Sequence, residues 1–403
     1  VEIKKNNPVA VVIGLSINAL SIIRSLGRRS IDVLAINSNK SGYAAKSKYC
    51  KIICCENLFG ELMIEKLREI GWSLTQKGVL FCTSDSSVLT VSKHERELQE
   101  FYHFVLPAKE TIDMLISKIH FHNFAIENGF DVPQTKFIIK KEDITKIGET
   151  ITYPCIIKPE YRDIYWDTYV SKVNKIFFAQ SKDAYYKLFR SFNLSNKPLI
   201  VQEWIDGSDE DVFYCLTYIN RNNEPLAVFT GKKIRQFPVL TGSTAFAESK
   251  WEPHVAHESL RLLKAAGCIG ICSVEFKRSQ RDNCLKITEP TVGRTDTQEG
   301  SSISSGMDIP YLAYMDALGK DPEPIKHFNE GIKWINEPED YNSIRSYMKN
   351  QSISWKELIS SYKGKRTYAL RAWDDPLPFL SFVGNKLGNG IFRVFNNGSY
   401  SVI

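Results

Sequence analysis

Short apolar runs and amphipathic stretches alternate over the first hundred residues. Val9 to Ile13 is a continuous apolar run, the pattern of a strand buried on both faces. Ile17 to Leu26 places Ile17, Leu20, Ile23 and Leu26 on one helical face. Asp32 to Ile36 and Lys51 to Cys54 read as further strands. Leu58 to Ile70 is an amphipathic helix that Gly71 ends. Val79 to Cys82 is a fourth strand, and a helix runs on from about Ser86 to Glu100. This rhythm predicts a parallel, doubly wound sheet. Thr111 to Asn128 predicts one long helix closed by Gly129. From Phe137 to Glu203 short strands and helices follow in an α+β pattern. Asp211 to Tyr218 and Pro225 to Thr230 predict adjacent antiparallel strands, Trp251 to Ala266 a helix, and Ile271 to Pro290 a hairpin. Asp321-Pro322-Glu323-Pro324 reads as a linker into a tail with a capping box at Ser354 to Glu357.

Composition narrows the function classes. The chain has 403 residues, 43% apolar and 24% charged, which suits two or three globular domains. Lys plus Arg exceeds Asp plus Glu by 52 − 46 = 6. The surplus is spread out, and its densest cluster, Lys232-Lys233 with Arg235, is no basic arm, so a small anionic ligand is expected rather than nucleic acid. No run reaches the roughly 18 apolar residues that span a bilayer, and Val9 to Leu15 is too short for a secretory signal. Nine cysteines include no CxxC pair. Zinc would need a second ligand pair at the right spacing, so reduced thiols and a cytoplasmic setting are expected. His254 and His257 read as an exposed helix face.

Several residues carry candidate chemistry. The first turn, Gly14-Leu15-Ser16-Ile17-Asn18-Ala19, has only the first glycine of a dinucleotide fingerprint, and the second strand ends in Asn37 rather than an acid. In the hairpin, Glu275 and Glu289 are equidistant from a turn centred on Asp282 and predicted to face each other. Two carboxylates so placed repel unless a cation lies between them, and Mg²⁺ takes carboxylate and phosphate oxygens. Lys158 ends the apolar run from Tyr153 to Ile157, where it would reach a phosphate. Lys118 sits on the preceding helix. The stretch Val201-Gln202-Glu203-Trp204-Ile205-Asp206-Gly207 would pair its backbone with an adenine edge, and Glu210 or Asp211 would accept from ribose hydroxyls. Asp85 and the serines beside it lie at a strand carboxyl end, where ligands gather.

The order of these features resembles the ATP-grasp superfamily: Lys118, then Gly129-x-x-x-Pro133-x-Thr135, then Ile157-Lys158-Pro159, then Gln202-Glu203, then the acids Glu275 and Glu289. The resemblance covers about residues 10 to 320. It implies an α/β ATP-grasp fold, with a Rossmann-like domain over 1–107, a helical linker and small lobe over 108–200, a large lobe over 201–320 and an extension over 321–403. It further implies that Lys118 and Lys158 bind ATP phosphates, that Gln202 to Ile205 clasp adenine, and that Glu275 and Glu289 hold magnesium, or manganese in its place. The stretches Lys232 to Pro238 and Glu289 to Thr295, with Gly306 to Tyr311, are similar to the carboxylate–amine ligases, a branch that includes D-aspartate ligases. Lys233, Arg235 and Arg294 are then the catalytic candidates, the arginines for a carboxylate and an acyl phosphate. Two features depart from the pattern. Thr291 stands where many relatives have a metal-binding Asn, and a Gly-rich phosphate loop is replaced by Glu160 to Lys172, with Tyr161, Arg162, Tyr165, Trp166 and Tyr169. The expected partners are a small carboxylate and an amine, with a homodimer as the family-level expectation. The tail is expected to pack on the core rather than touch a membrane. Phosphorylation, carboxylation and a non-catalytic ATP-binding module are the alternatives.

Overall fold

The computed structural model describes residues 7–159, 176–191, 198–350 and 352–396. Three sheets organise them. The first holds β1 (Ala10–Ile13), β2 (Val33–Asn37), β3 (Lys51–Cys54), β4 (Gly78–Cys82) and β5 (Tyr102–His103), all parallel, in the order β3-β2-β1-β4-β5. The unbroken apolar run at β1 has a direct reason. Val11 and Ile13 pack with Met63, Leu67 and Val88 on one face, while Ala10 and Val12 pack with Ile22, Ile23 and Leu26 on the other. Helices cover both faces, as a parallel sheet requires. Gly14 follows β1 with φ +109°, and a Cβ there would lie 2.4 Å from Thr83 Oγ1, so the first turn accepts only glycine.

The second sheet is four-stranded, built from β6 (Thr135–Ile138), β7 (Cys155–Pro159), β8 (Phe177–Ala179) and β9 (Leu199–Glu203) in the order β6-β9-β7-β8. The boundary expected at residue 200 falls inside β9, which pairs with both β6 and β7. The third sheet is seven-stranded: β10 (Val212–Ile219), β11 (Pro225–Phe237), β12 (Ser243–Ser249), β13 (Gly270–Arg278), β14 (Leu285–Val292), β15 (Lys333–Ile335) and β16 (Arg366–Tyr368), in the order β14-β13-β10-β11-β12-β15-β16. The last two strands come from the C-terminal extension, which therefore completes the large sheet.

The extension also clamps the first sheet's helices. Arg24, on the helix Ile17–Gly27, is buried and donates to Asp375 at 2.9 Å and to the carbonyls of Ala369 and Leu370 at 2.6 and 2.7 Å. Asp375 accepts further from Ser47 Oγ at 2.7 Å. The capping box at Ser354 forms as expected, with the Glu357 N–H donating to Ser354 Oγ at 3.2 Å and Glu357 Oε2 accepting from the Ser354 N–H at 2.8 Å. Among the described residues no helix is long and apolar enough to cross a membrane. All nine cysteines are free thiols.

Candidate active site

A cavity of about 640 Å³ lies between the four-stranded and seven-stranded sheets. Its small-sheet wall depends on a break that periodicity does not reveal. The segment expected as one helix is two, Lys109–Ile116 and Lys118–Glu127. Ser117 between them is extended, and its Oγ accepts from the His120 N–H at 3.3 Å. A serine that bonds nearby backbone favours a cap over a helix interior. The break makes Lys118 the first residue of a new helix and places it in the cavity lining.

Lys158, near the end of β7, donates to Gln202 Oε1 at 3.0 Å, and Gln202 Nε2 donates to Thr135 Oγ1 at 2.9 Å. Gln202 thus positions the lysine. Burial pushes the Lys158 ammonium down to about 8; Glu289 and Glu275 oppose that shift and Lys118 adds to it. Lys158 therefore senses the other three charged groups across the cavity.

The opposite wall is the β13–β14 hairpin. Glu275 and Glu289 are directly paired across it, as the spacing predicts. The route differs from a simple hairpin. Below the pair the register is Phe276 with Ile287 and Lys277 with Lys286, so Thr288 is an extra residue that restores the pairing of the acids. Glu275 Oε2 accepts from Lys233 Nζ at 2.7 Å, and Oε1 accepts from Thr288 Oγ1 at 3.2 Å. Glu289 has no ion pair or hydrogen bond among the described residues. One of two facing carboxylates is thus compensated and the other is not, a donor set that fits a hard divalent cation completing its sphere with phosphate and water oxygens. Among the described residues no group of three or more His, Cys, Asp and Glu is arranged to hold a metal on its own. Thr291 lies in the same lining, opposite Ser273.

Arg294 lines the cavity and pairs with Asp85, so two residues singled out separately in the sequence meet across the first and third sheets. Trp204 and Ile205 line the cavity too. Glu203 reaches it, but its carboxylate pairs with Lys286. Lys233 joins the lining through Glu275 and Gln236, the latter at 3.1 Å.

Two expectations are corrected. Arg235 does not face the cavity. Its guanidinium is buried against Asp340 at 2.8 Å and Ser361 at 2.8 Å, over the rings of Phe246 and Tyr362. The cause is a bulge in β11 between Lys233 and Arg235, which turns Arg235 away and lets Gln236 take the inward place. Glu210 and Asp211 do not line the cavity either. Glu210 pairs with Lys232 at 3.5 Å, and Asp211 accepts from the Ser208 N–H at 2.7 Å and from Gln280 Nε2 at 3.0 Å. The aromatic segment from Tyr161 to Tyr169, with Arg162 and Lys172, lies outside the described residues.

Sequence reasoning misses Lys277 and Asp209. Lys277 is on the Glu275 face of β13, and its ammonium sits 4.6 Å from the centre of the Trp204 ring. Burial lowers its pKa, against the pull of Asp209, Asp211 and Glu275. The alternation of Ser273, Glu275 and Lys277 was its available signal. Asp209 is buried and accepts from the Gln236 N–H at 2.9 Å, from Gln236 Nε2 at 2.8 Å, from the Leu240 N–H at 2.9 Å and from the Tyr347 hydroxyl at 2.6 Å. It holds the loop that brings Leu240 to Gly242 over the cavity. Nothing local in the sequence marks that role.

Two α+β sheets facing each other over a lysine- and glutamate-lined cavity, behind a doubly wound sheet, define the ATP-grasp fold, and this chain has it. Solved structures of similar fold include phosphoribosylglycinamide synthetase from Anaerococcus prevotii, 15% identical over 81% of this chain and 80% of the other with a TM-score of 0.58. Carboxyaminoimidazole ribonucleotide synthase from Aspergillus clavatus, complexed with ATP, is 14% identical over 81% of each chain with a TM-score of 0.59. The biotin carboxylase domain of 2-oxoglutarate carboxylase from Hydrogenobacter thermophilus, a dimer with MgADP, ADP and bicarbonate, is 12% identical over 82% of this chain and 73% of the other with a TM-score of 0.60. At these identities the likeness concerns the fold alone. No family model and no curated protein matches the chain.

Proposed function

We propose that the protein is an ATP- and magnesium-dependent ligase that joins a carboxylate to an amine through an acyl phosphate. The observation that supports this most is the opposition of Lys118 and Lys158 to the paired acids Glu275 and Glu289 across one cavity, with Arg294 at its edge. Phosphoryl transfer asks a protein for positioning and charge neutralisation more than for covalent chemistry. Lys158, oriented by Gln202, and Lys118 bind the phosphates. Trp204 and Ile205 form an apolar wall for the adenine. A divalent cation at Glu275 and Glu289 would neutralise charge on the transferred phosphoryl group. Lys233 holds Glu275 in place. Arg294, steadied by Asp85, offers its remaining donors to the substrate carboxylate. That carboxylate takes the γ-phosphoryl group, and the amine then displaces phosphate from the acyl phosphate.

The resemblance of Lys232 to Pro238 and Glu289 to Thr295 favours the carboxylate–amine branch, and the site is read as cytoplasmic and able to serve a homodimer. Bicarbonate belongs among the acids tried, since one similar structure holds it. The test is phosphate release from Mg-ATP against pooled amino acids, amino sugars and small carboxylic acids, with Glu289→Gln as control. Release that needs both an acid and an amine, and that the variant loses, supports the ligase. ATP binding without release from any pool points to a binding module. Failure to bind ATP defeats the reading.

A further inference from the structure

We infer that a second cavity, behind the helix Glu299–Ser304, is a binding site for a phosphorylated molecule with a planar ring. This cavity has a volume of about 770 Å³ and shares no lining residue with the first. Four parts of the chain build it: Ser21, Arg24 and Arg28 from the first helix and its end, Gly300 and Ser304 from the helix at 299–304, Trp334 of β15, and residues between 364 and 374 of the extension.

Its charges are unevenly matched. Arg24 is neutralised by Asp375 and Arg28 by Asp374, at 2.9 and 2.8 Å. Arg366 and Arg371 also line the cavity, and among the described residues neither guanidinium has a carboxylate partner. Asp374 and Asp375 are thus used by the inner pair of arginines, Glu337 accepts from the backbone N–H groups of Leu370 and Arg371 at 2.9 and 2.8 Å, and the outer pair presents two guanidinium groups to the cavity. A guanidinium matches phosphate in bidentate geometry. The hydroxyls of Thr367 and Ser304 lie 3.0 Å apart in the same lining, a further polar contact for an anion.

The ring platform stands beside these cations. Trp373 is 90% exposed, and the Arg371 guanidinium lies 5.4 Å from its ring centre and 5.3 Å from that of Tyr368. Exposing an indole to water forfeits the burial that tryptophan normally obtains, whereas stacking a planar ligand on it recovers that area. The cavity floor is kept open by glycine, for a Cβ on Gly300 would meet Trp334 Nε1 at 2.5 Å and Ser21 Oγ at 3.2 Å. One helix forms part of the wall here, and the residues just before it, Thr297 and Gln298, line the first cavity.

The inference does not depend on the ligase reading, and calorimetric titration of the full chain with ADP separates the two. The expected result is two ADP equivalents per chain. The double variant Arg366→Ala/Arg371→Ala should lose the second-cavity equivalent and keep the one bound in the first cavity, and Lys158→Ala should weaken only the latter. Trp373→Ala should weaken the second equivalent tenfold or more. Adenosine and inorganic phosphate, titrated separately, should each bind the second site at least tenfold more weakly than ADP. A single equivalent in the wild type, unaffected by the arginine substitutions, overturns the site. Phosphate binding as tightly as ADP overturns the ring requirement. Two equivalents that Lys158→Ala leaves untouched count against the ATP site and not against this one.

Discussion

Lys158 gives the sharpest quantitative expectation. Its ammonium is pushed by burial from 10.5 down to about 8, a displacement of 10.5 − 8 = 2.5, with Glu289 and Glu275 limiting the fall. If ATP binds only the ammonium form, the apparent dissociation constant scales as 1 + 10^(pH − 8), which rises roughly tenfold from pH 7 to pH 9. Lys158→Arg keeps its charge throughout this range and should bind ATP with a flat profile. Glu289→Gln removes an opposing carboxylate, so the rise should begin at lower pH. The sign for folding is the reverse of the usual lysine partner effect. Between about pH 8 and 10.5 the unfolded chain binds the extra proton, so this group makes the fold more stable as the pH rises through that window. The assay is calorimetric or fluorescence titration with Mg-ATP at closely spaced pH values. A wild-type constant that does not change between pH 7 and pH 9, or an equal rise in Lys158→Arg, refutes the assignment of Lys158 to the phosphates.

Arg235→Met should lower stability in urea by about 3–5 kcal/mol, because Asp340 is left buried without its cation, while ATP affinity stays within about twofold. Glu299 is fully buried, and burial raises its carboxyl from 4.5 to about 8. The fold holds a proton there that the unfolded chain releases, so stability falls as pH rises from about 4.5 to 8, and Glu299→Gln should flatten that slope in urea melts. Gly14→Ala forces φ +109° on an L-residue and drives its Cβ to 2.4 Å from Thr83 Oγ1, a cost of roughly 1–3 kcal/mol, of which Thr83→Ala should restore the steric part in denaturation measurements. Asp209→Ala should raise the KM for ATP in the phosphate-release assay, since Asp209 fixes the loop from Gln236 to Leu240 over the cavity, and should also lower stability in urea, because the donors it accepts from are left unpaired.

The parts of the fold legible in the sequence are those in which period and burial coincide. β1 is apolar at every position because helices cover both its faces, and the parallel sheet follows from that single pattern. The place of Lys158 in the cavity lining is legible because the lysine comes at the end of the buried run of β7. The acid pair was legible for a weaker reason. Counting outward from Asp282 gave the right partners, yet the pairing survives only because Thr288 is inserted on one strand and offsets a turn that is not centred on a residue. The same class of irregularity defeated the count in β11. Strict alternation puts Lys233 and Arg235 on one face, and a cationic cluster there looks catalytic. The bulge sends Arg235 into the packing between the large sheet and the extension, and gives its place to Gln236. A period of two fixes which side chains share a face only while the ladder is regular. Whether an arginine serves chemistry or packing is then decided by what lies behind the sheet. Here that is Asp340, Ser361, Phe246 and Tyr362, two of them on β12 and its neighbouring helix, and two on or just after the helix Trp355–Ser361. Asp340 is 105 residues from Arg235 and Ser361 is 126, distances over which hydrophobic pattern carries no information, so the carboxylate that neutralises a buried cation has to be found in space.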